Sequence, residues 1–204
     1  MVKCAIDSRI ILALSELTGD ADRDLNKIFV FAHESGETEY FATNEYAAAV
    51  VLPTEPEMNF DGNFVATIPD CLKKVIKYKE DEANQELNKV FFEYDDKTIE
   101  NFAKVKVWTG YEFLNIQYSL LKSRFEKLPD FFSHEVVDKS QITFNPEIGA
   151  KIKKCAKKLG IKSPLTWNLN ENCFTGEIKN ENFLLRYCFL GESNGDCKNE
   201  NGER

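Results

Sequence analysis

Six cysteines (Cys4, Cys71, Cys155, Cys173, Cys188, Cys197) and two histidines (His33, His134) have the most chemistry to offer, but their spacing wastes it. Structural zinc sites draw their ligands from tight Cys and His pairs. No C-x-x-C pair exists here, and both histidines stand far from any cysteine cluster. The thiols read instead as small buried hydrophobes of a reducing compartment. G-x-S-x-G, the P-loop, G-x-G-x-x-G and H-E-x-x-H are all missing. His134, in "FFSHEV", falls in a loop near Pro129, and His33 stands at a strand end; both read as surface histidines. The 34 acidic residues fall mostly in connectors or on solvated strand faces. The expectation is a protein that is not an enzyme and uses no metal or cofactor.

Lysine is the residue whose placement is unusual. The stretch "NPEIGAKIKKCAKKLGIK", Asn145 to Lys162, holds six lysines and one glutamate, a net +5 in a chain of net −8. On a helical wheel Ile148, Ile152, Cys155 and Leu159 share one face, while Lys151, Lys153, Lys154, Lys157 and Lys158 sweep most of the remaining arc. A solvated surface helix normally mixes signs for i,i+4 pairing, and this one has only Glu147, near its start. A second stretch repeats the bias with Lys73, Lys74 and Lys77 against Asp70. Lysines without a groove-reading motif imply weak, salt-sensitive phosphate contacts that are independent of base sequence.

Three repeats of one order of elements position these lysines: a short strand, an amphipathic helix, then several strands. The first helix is expected over Ser8 to Leu17, with Ile10, Ile11, Leu14 and Leu17 on its apolar face and Gly19 after its end. Strands follow in "LNKIFVFAH", "TEYFATNE" and "YAAAVVLP". The second helix is expected after "NFVATI", with Pro69 in its first turn and Leu72, Val75 and Ile76 inward. Strands resume in "KVFFEYDD", "KVKVW" and "YEFLNIQYSLL". After the strand "SQITF" the third helix opens with Asn145 as cap and Pro146 as first helical residue and closes at Gly160. "LTWNLN", "CFTGEIK" and "NFLLRYCFL" complete the set.

At 204 residues and 43% hydrophobic, the chain is large enough for a real core in one large domain or two small ones. Asp7, Arg9 and Glu16 interrupt its first apolar stretch, so neither a signal peptide nor a membrane span is expected. The tail "ESNGDCKNENGER" lacks apolar periodicity and is expected to be disordered.

The stretch from Ser8 through "LNKIFVFAHESGETEYFATNEYAAAVVLP" resembles the repeats of the bacterial sliding clamp, the β subunit of the replicative DNA polymerase. Those repeats read helix, "YLNGVLFE", turn, "LVATDGHRLAV", and "FATNEYAAAV" stands in place of the last motif. "FVATIPDCLKKVIK" is similar to the clamp's "vivPrkgl.el.k" segment and "SRFEKLPDFFSHEV" to its "gRFPDYrrV". "ITFNPEIGAKIKKCAKKLG" with "FLLRYCFL" is similar to its last half-domain, "fN..yl.d.l.al" ending in "vimPmR". The four pieces keep their order over roughly Lys3 to Leu190.

The resemblance implies an α+β sliding-clamp fold, with sheets outside and helices lining a ring. On that pattern residues 1–137 form one complete domain of two half-repeats, about 1–58 and 59–137, residues 138–191 a third half-repeat, and residues 192–204 a tail. Twelve halves close a clamp ring, so four chains of three halves suffice by count; the alternative is a two-domain chain, like compact viral clamps, with a fourth half hidden in 59–137. The implied function is that of a DNA polymerase processivity factor of viral or mobile-element type. It is a homo-oligomer encircling double-stranded DNA through Lys73, Lys74, Lys77, Lys151, Lys154, Lys157 and Lys158, in the cytoplasm (the host's if viral). Polymerases or other replication proteins bind clamps through short peptide motifs, in a pocket placed here at Thr43, Tyr46, Pro129, Tyr187 and Phe189. Tyr46 and Ala47 replace the motif's His-Arg pair, and the C-terminal segment has neither Pro nor Met, so host ligands should bind poorly. The alternative reading is a clamp-fold interaction protein that closes no ring and acts as a regulator or decoy of a replication complex.

Overall fold

Runs of β-branched and aromatic residues at period two become strands that bury one face, and here they pair in two antiparallel sheets. The computed structural model describes residues 2–20, 25–33, 35–55, 64–78, 87–94, 102–109, 111–119, 125, 127–129, 145–170 and 173–190. Among these, strands β1 (Val2–Asp7), β6 (Lys89–Tyr94), β7 (Phe102–Trp108) and β8 (Phe113–Ser119) form a four-stranded sheet in the order β1-β6-β7-β8. The second sheet contains β2 (Lys27–Ala32), β3 (Thr38–Thr43), β4 (Ala47–Pro53), β5 (Phe64–Pro69), β9 (Asn168–Asn170), β10 (Cys173–Lys179) and β11 (Phe183–Leu190). Its order is β5-β2-β3-β4-β11-β10-β9.

Two strands are exchanged between meanders. β1 precedes the first helix yet pairs with β6, and β5 follows β4 in sequence yet pairs with β2. Each meander of three strands is thereby completed by a strand lying before the other's helical segment. The last meander joins the first directly: β11 lies antiparallel to β4 from Phe183↔Pro53 to Phe189↔Ala47.

Helix α1 (Ser8–Leu14) is shorter than the expected Ser8 to Leu17 and ends in two tight turns through Leu17. The Asp7 carboxylate caps it, accepting from the Arg9 N–H at 2.8 Å. Helix α2 (Pro146–Lys158) has the expected cap: the Asn145 side chain accepts from the Glu147 N–H at 2.9 Å. Gly160, at φ 73°, follows its end, as a left-handed C-terminal residue should. The expected second helix is not one. Asp70–Lys74 makes a single 3₁₀ turn, with Pro69 as the residue before it. Only Leu72 and Ile76 of this segment are fully buried. One apolar pair per turn does not offset the cost of nucleating a helix. The expected strand at 140–144, His134 and the tail 192–204 lie outside the described residues.

One apolar cluster runs through both sheets. It takes Ile6, Val90, Phe92, Val105 and Val107 from the smaller sheet and Ile28, Val30, Tyr40, Ala49, Leu185, Tyr187 and Phe189 from the larger, with α1 and α2 packed against them. The opposite face of the larger sheet carries a smaller cluster of Phe29, Phe31, Phe41, Ala48 and Val50. Phe125 closes over it edge-on, 4.9 Å from Phe29 and 5.5 Å from Phe41 between ring centroids.

Gly176 on β10 gives Tyr187 its place. The fully buried Tyr187 ring lies across the glycine and donates its hydroxyl to the Thr166 carbonyl, so the loop before β9 crosses the sheet here. A Cβ at 176 would collide with that carbonyl and with the ring. Gly176→Ala should therefore cost about 2–3 kcal/mol and lower Tm by roughly 5–10 °C in a thermal melt.

Candidate functional site

The basic helix keeps its lysines in water. Ile152, Cys155, Ala156 and Leu159 are buried, Ile148 is half-buried, and Lys153, Lys154 and Lys157 are exposed. Lys151 is half-buried. Lys158 is not part of the free face. Its ammonium donates to the Leu12 carbonyl at 3.1 Å and pairs with Glu16 at 2.5 Å, tying α2 to the end of α1. Lys73 does the same from the other flank, donating to the Ser15 carbonyl at 3.3 Å and pairing with Asp70 at 3.4 Å. Lys74 and Lys77 are exposed. Of the seven lysines expected to face DNA, Lys73 and Lys158 thus spend their charge on the C-terminal end of a helix, where the dipole favours a cation.

α1 itself adds little positive charge. Its Arg9 is held by the Asp7 carboxylate at 2.7 Å and lies over the Phe183 ring at 4.7 Å. The outward rows of the four-stranded sheet carry Lys104 and Lys106 beside Glu93, in a shallow cleft of about 740 Å³.

A separate cleft of about 400 Å³ lies where the β3–β4 turn meets the start of α2 and the end of β11. Asn44, Tyr46, Asn145, Glu147, Ile148, Lys151 and Leu190 line it. The turn is tightly built. Asn44 Oδ1 accepts from the N–H groups of Tyr46 and Ala47 at 3.1 and 2.8 Å, while Thr43 Oγ1 donates to the Ala47 carbonyl at 2.9 Å. Glu45 takes φ 76°, in the left-handed region that favours glycine, and glycine is the clamp motif's residue at that place. The result is a Tyr46 side chain 62% exposed, beside Leu190, whose N–H donates to the Tyr46 carbonyl at 2.8 Å.

Of the five expected pocket residues, the structure puts Tyr46 in the cleft and Thr43 in the turn that supports it. Tyr187 and Phe189 are fully buried core residues outside that cleft, because the alternation of β11 turns 183, 185, 187 and 189 inward. Pro129 is half-buried beside Leu128, which packs on the outer aromatic cluster. Asn145, Ile148 and Lys151 were not foreseen as one surface. Their spacing of three residues along α2 is the signal, hidden because the first reads as a cap, the second as core and the third as DNA-facing.

Two of the described thiols are held protonated by burial. Burial, with Glu16 nearby, pushes Cys155 up to about 12. Burial and the adjacent Cys173 push Cys188 to about 12 as well. Cys71 is exposed. His33 pairs with Glu39 at 3.0 Å, and no group of three metal-ligating side chains gathers among the described residues. No helix among them is long and apolar enough to cross a membrane.

No protein-family profile and no curated protein matches the sequence. Solved structures do. DNA polymerase III subunit beta from Borrelia burgdorferi superposes with a TM-score of 0.59 at 12% identity, covering 96% of this chain and 65% of that one. This is the sliding-clamp fold. The DNA polymerase sliding clamp from Bacillus subtilis gives a TM-score of 0.57 at 8% identity, covering 95% of this chain and 65% of that one. Proliferating Cellular Nuclear Antigen from Entamoeba histolytica gives 0.55 at 10% identity, covering 94% of this chain and 99% of that one. This chain therefore spans just under two thirds of the length of the two bacterial proteins. In the sliding-clamp fold its sheets form one layer and α1 and α2 another, as the resemblance implied.

Two outcomes test this description. Lys158→Met should cost about 1 kcal/mol, a drop of roughly 2–4 °C in Tm, because it leaves the Leu12 carbonyl and Glu16 without their cation. In native-state alkylation at pH 8 followed by peptide mapping, Cys71 should label well before Cys155 and Cys188, which stay protected until the protein unfolds.

Proposed function

We propose that the protein is a sliding-clamp-type processivity factor that encircles double-stranded DNA without reading its sequence and tethers a DNA polymerase or another replication protein. The observation that carries this reading is α2: a helix in the sliding-clamp fold, with its apolar face on β11 and a net-positive solvent face in a protein of net −8. Lys153, Lys154 and Lys157, with Lys74 and Lys77 at the other side of α1, are the charges free to meet phosphates. Lys151 stands at the edge of that face and of the cleft. Such contacts are individually weak and interchangeable along the duplex, which suits a protein that must slide.

Tethering needs a docking place, and the cleft at Tyr46 supplies the right chemistry. Tyr46, Ile148 and Leu190 give it an apolar floor, and Asn44, Asn145, Glu147 and Lys151 a polar rim. A short peptide with one or two apolar anchors fits such a site. The scaffold performs no reaction in this reading and works as a homo-oligomer in the cytoplasm, the host's if the chain is viral. In this reading several copies together enclose the duplex.

Topology is the deciding measurement. The protein should remain on nicked circular DNA during gel filtration and be lost once the circle is linearised. Equal loss from both forms would support the reading as a regulator or decoy that closes no ring. Lys153→Glu, Lys154→Glu and Lys157→Glu together should weaken association with any duplex sequence and reduce the slope of log K against log salt by about 2–3. Unchanged DNA association would assign these lysines to solvation.

A further inference from the structure

In the four-stranded sheet Val90, Phe92, Val105 and Val107 point into the core, so alternation sends Lys89, Phe91, Glu93, Lys104, Lys106 and Trp108 the other way. Register adds Phe113 beside Trp108, Asn115 beside Lys106 and Gln117 beside Lys104. Among the described side chains this face thus interleaves lysines with aromatic rings. Lys89, Lys104 and Lys106 are exposed, Phe91 and Trp108 are half-buried, and Phe113 is 36% exposed. Of the acids on the same rows, Glu93 is half-buried and Asp7, opposite Lys89, is held by Arg9. The face is therefore net positive in a protein of net −8.

We propose that this outward face binds single-stranded nucleic acid. Neighbouring strands lie about 4.8 Å apart and successive outward residues of one strand about 6.8 Å, so a ring here always has a lysine within reach. Phe91 stands opposite Lys106, whose ammonium lies 4.3 Å from the Phe113 ring centroid. Trp108 braces Phe113 at 5.2 Å in an edge-on contact that sets the plane of the ring. A base stacking on Phe113 displaces the Lys106 ammonium, a weak loss at an exposed site, and frees it for the phosphate of the same nucleotide. Tyr111, 93% exposed in the turn before β8, extends the aromatic row. The exposed Asn115 and Gln117 offer uncharged hydrogen bonds to base edges.

The occupant follows from the pairing of charge with rings. Duplex DNA keeps the faces of its bases stacked inside and would offer this surface phosphates alone. An acidic peptide would meet the lysines and leave the rings idle. Unpaired bases on a phosphate chain use both, which is how a four-stranded sheet with surface aromatics holds a single strand. Phe91, Lys104, Lys106, Asn115 and Gln117 line one shallow cleft, so a strand can cross them in a single path. This face is turned away from the core that the sheet shares with α1 and α2. The inference therefore stands whether or not the lysines of α2 meet a duplex.

Fluorescence anisotropy of labelled twelve-nucleotide oligo(dT) and oligo(rU) with the full chain at low salt tests it. Wild-type protein should bind at least one of the two, and the tighter one tells DNA from RNA. Lys104→Glu with Lys106→Glu should weaken that binding at least tenfold and reduce the slope of log K against log salt by about 1–2, with little change toward a duplex of the same length. The triple lysine-to-glutamate variant of α2 should keep its single-strand binding through this face, so the two readings fail separately. Phe113→Leu should cost about fivefold or more, and Phe113→Tyr, which keeps the ring, should bind like wild type. Tyr111→Ala, at an exposed turn position that the fold does not depend on, should weaken binding in the same direction with Tm unchanged. Three results would each overturn the proposal: no binding of either strand, binding that survives the Lys104 and Lys106 changes, or poly-glutamate bound as tightly as the oligonucleotides and equally well by Phe113→Leu.

Discussion

The C-terminal end of α1 is buried, and every carbonyl there needs a donor. A helix leaves its last four C=O groups without intrahelical partners, and in a core each orphan is expensive. Here the count closes. Ile11 accepts from Ser15, Ala13 from the Glu16 N–H, and Leu14 from the Leu17 N–H. Leu12 accepts from Lys158, and Ser15 from Thr18 and Lys73. Two of these donors arrive from distant segments, so they tie the end of α1 to α2 and to the Asp70–Lys74 turn.

That requirement also shapes the surface. The lysines nearest α1 are spent on its carbonyls, which leaves the outer arc of α2 as the main basic face. The cleft at Tyr46 lies beside the start of the same helix, so the lysine face and the cleft share one support, helix α2. A single element thus carries both surfaces on which the proposed function depends.

The strands were legible because alternation and β-branching are local signals, and α2 because Asn145, Pro146 and Gly160 mark its ends. Asp70–Lys74 stays a single 3₁₀ turn because Leu72, Val75 and Ile76 have helical spacing but too few apolar neighbours in sequence to sustain a helix. Tyr187 and Phe189 were placed in a pocket by motif position, although the alternation in "FLLRYCFL" already assigned them to the core. The exchange of β1 and β5 has no local signature, since pairing partners separated by tens of residues leave no periodic trace. The cleft was half visible: Tyr46 came from the motif, while Asn145 and Ile148 were absorbed by roles they also fill.

The β4–β11 pairing has a consequence for how the chain is made. β11 sits inside the larger sheet, yet its first residue emerges from the ribosome 183 − 53 = 130 residues after the last of β4. At about 5–20 residues per second, that is an interval of roughly 6–26 s during which "AAAVVLP" waits with one edge bare. The larger sheet therefore cannot be finished as the chain is born. Its closure is a late, long-range event, slow in the manner of non-local β pairing, and nascent chains crowded on one message would offer each other the same bare edge.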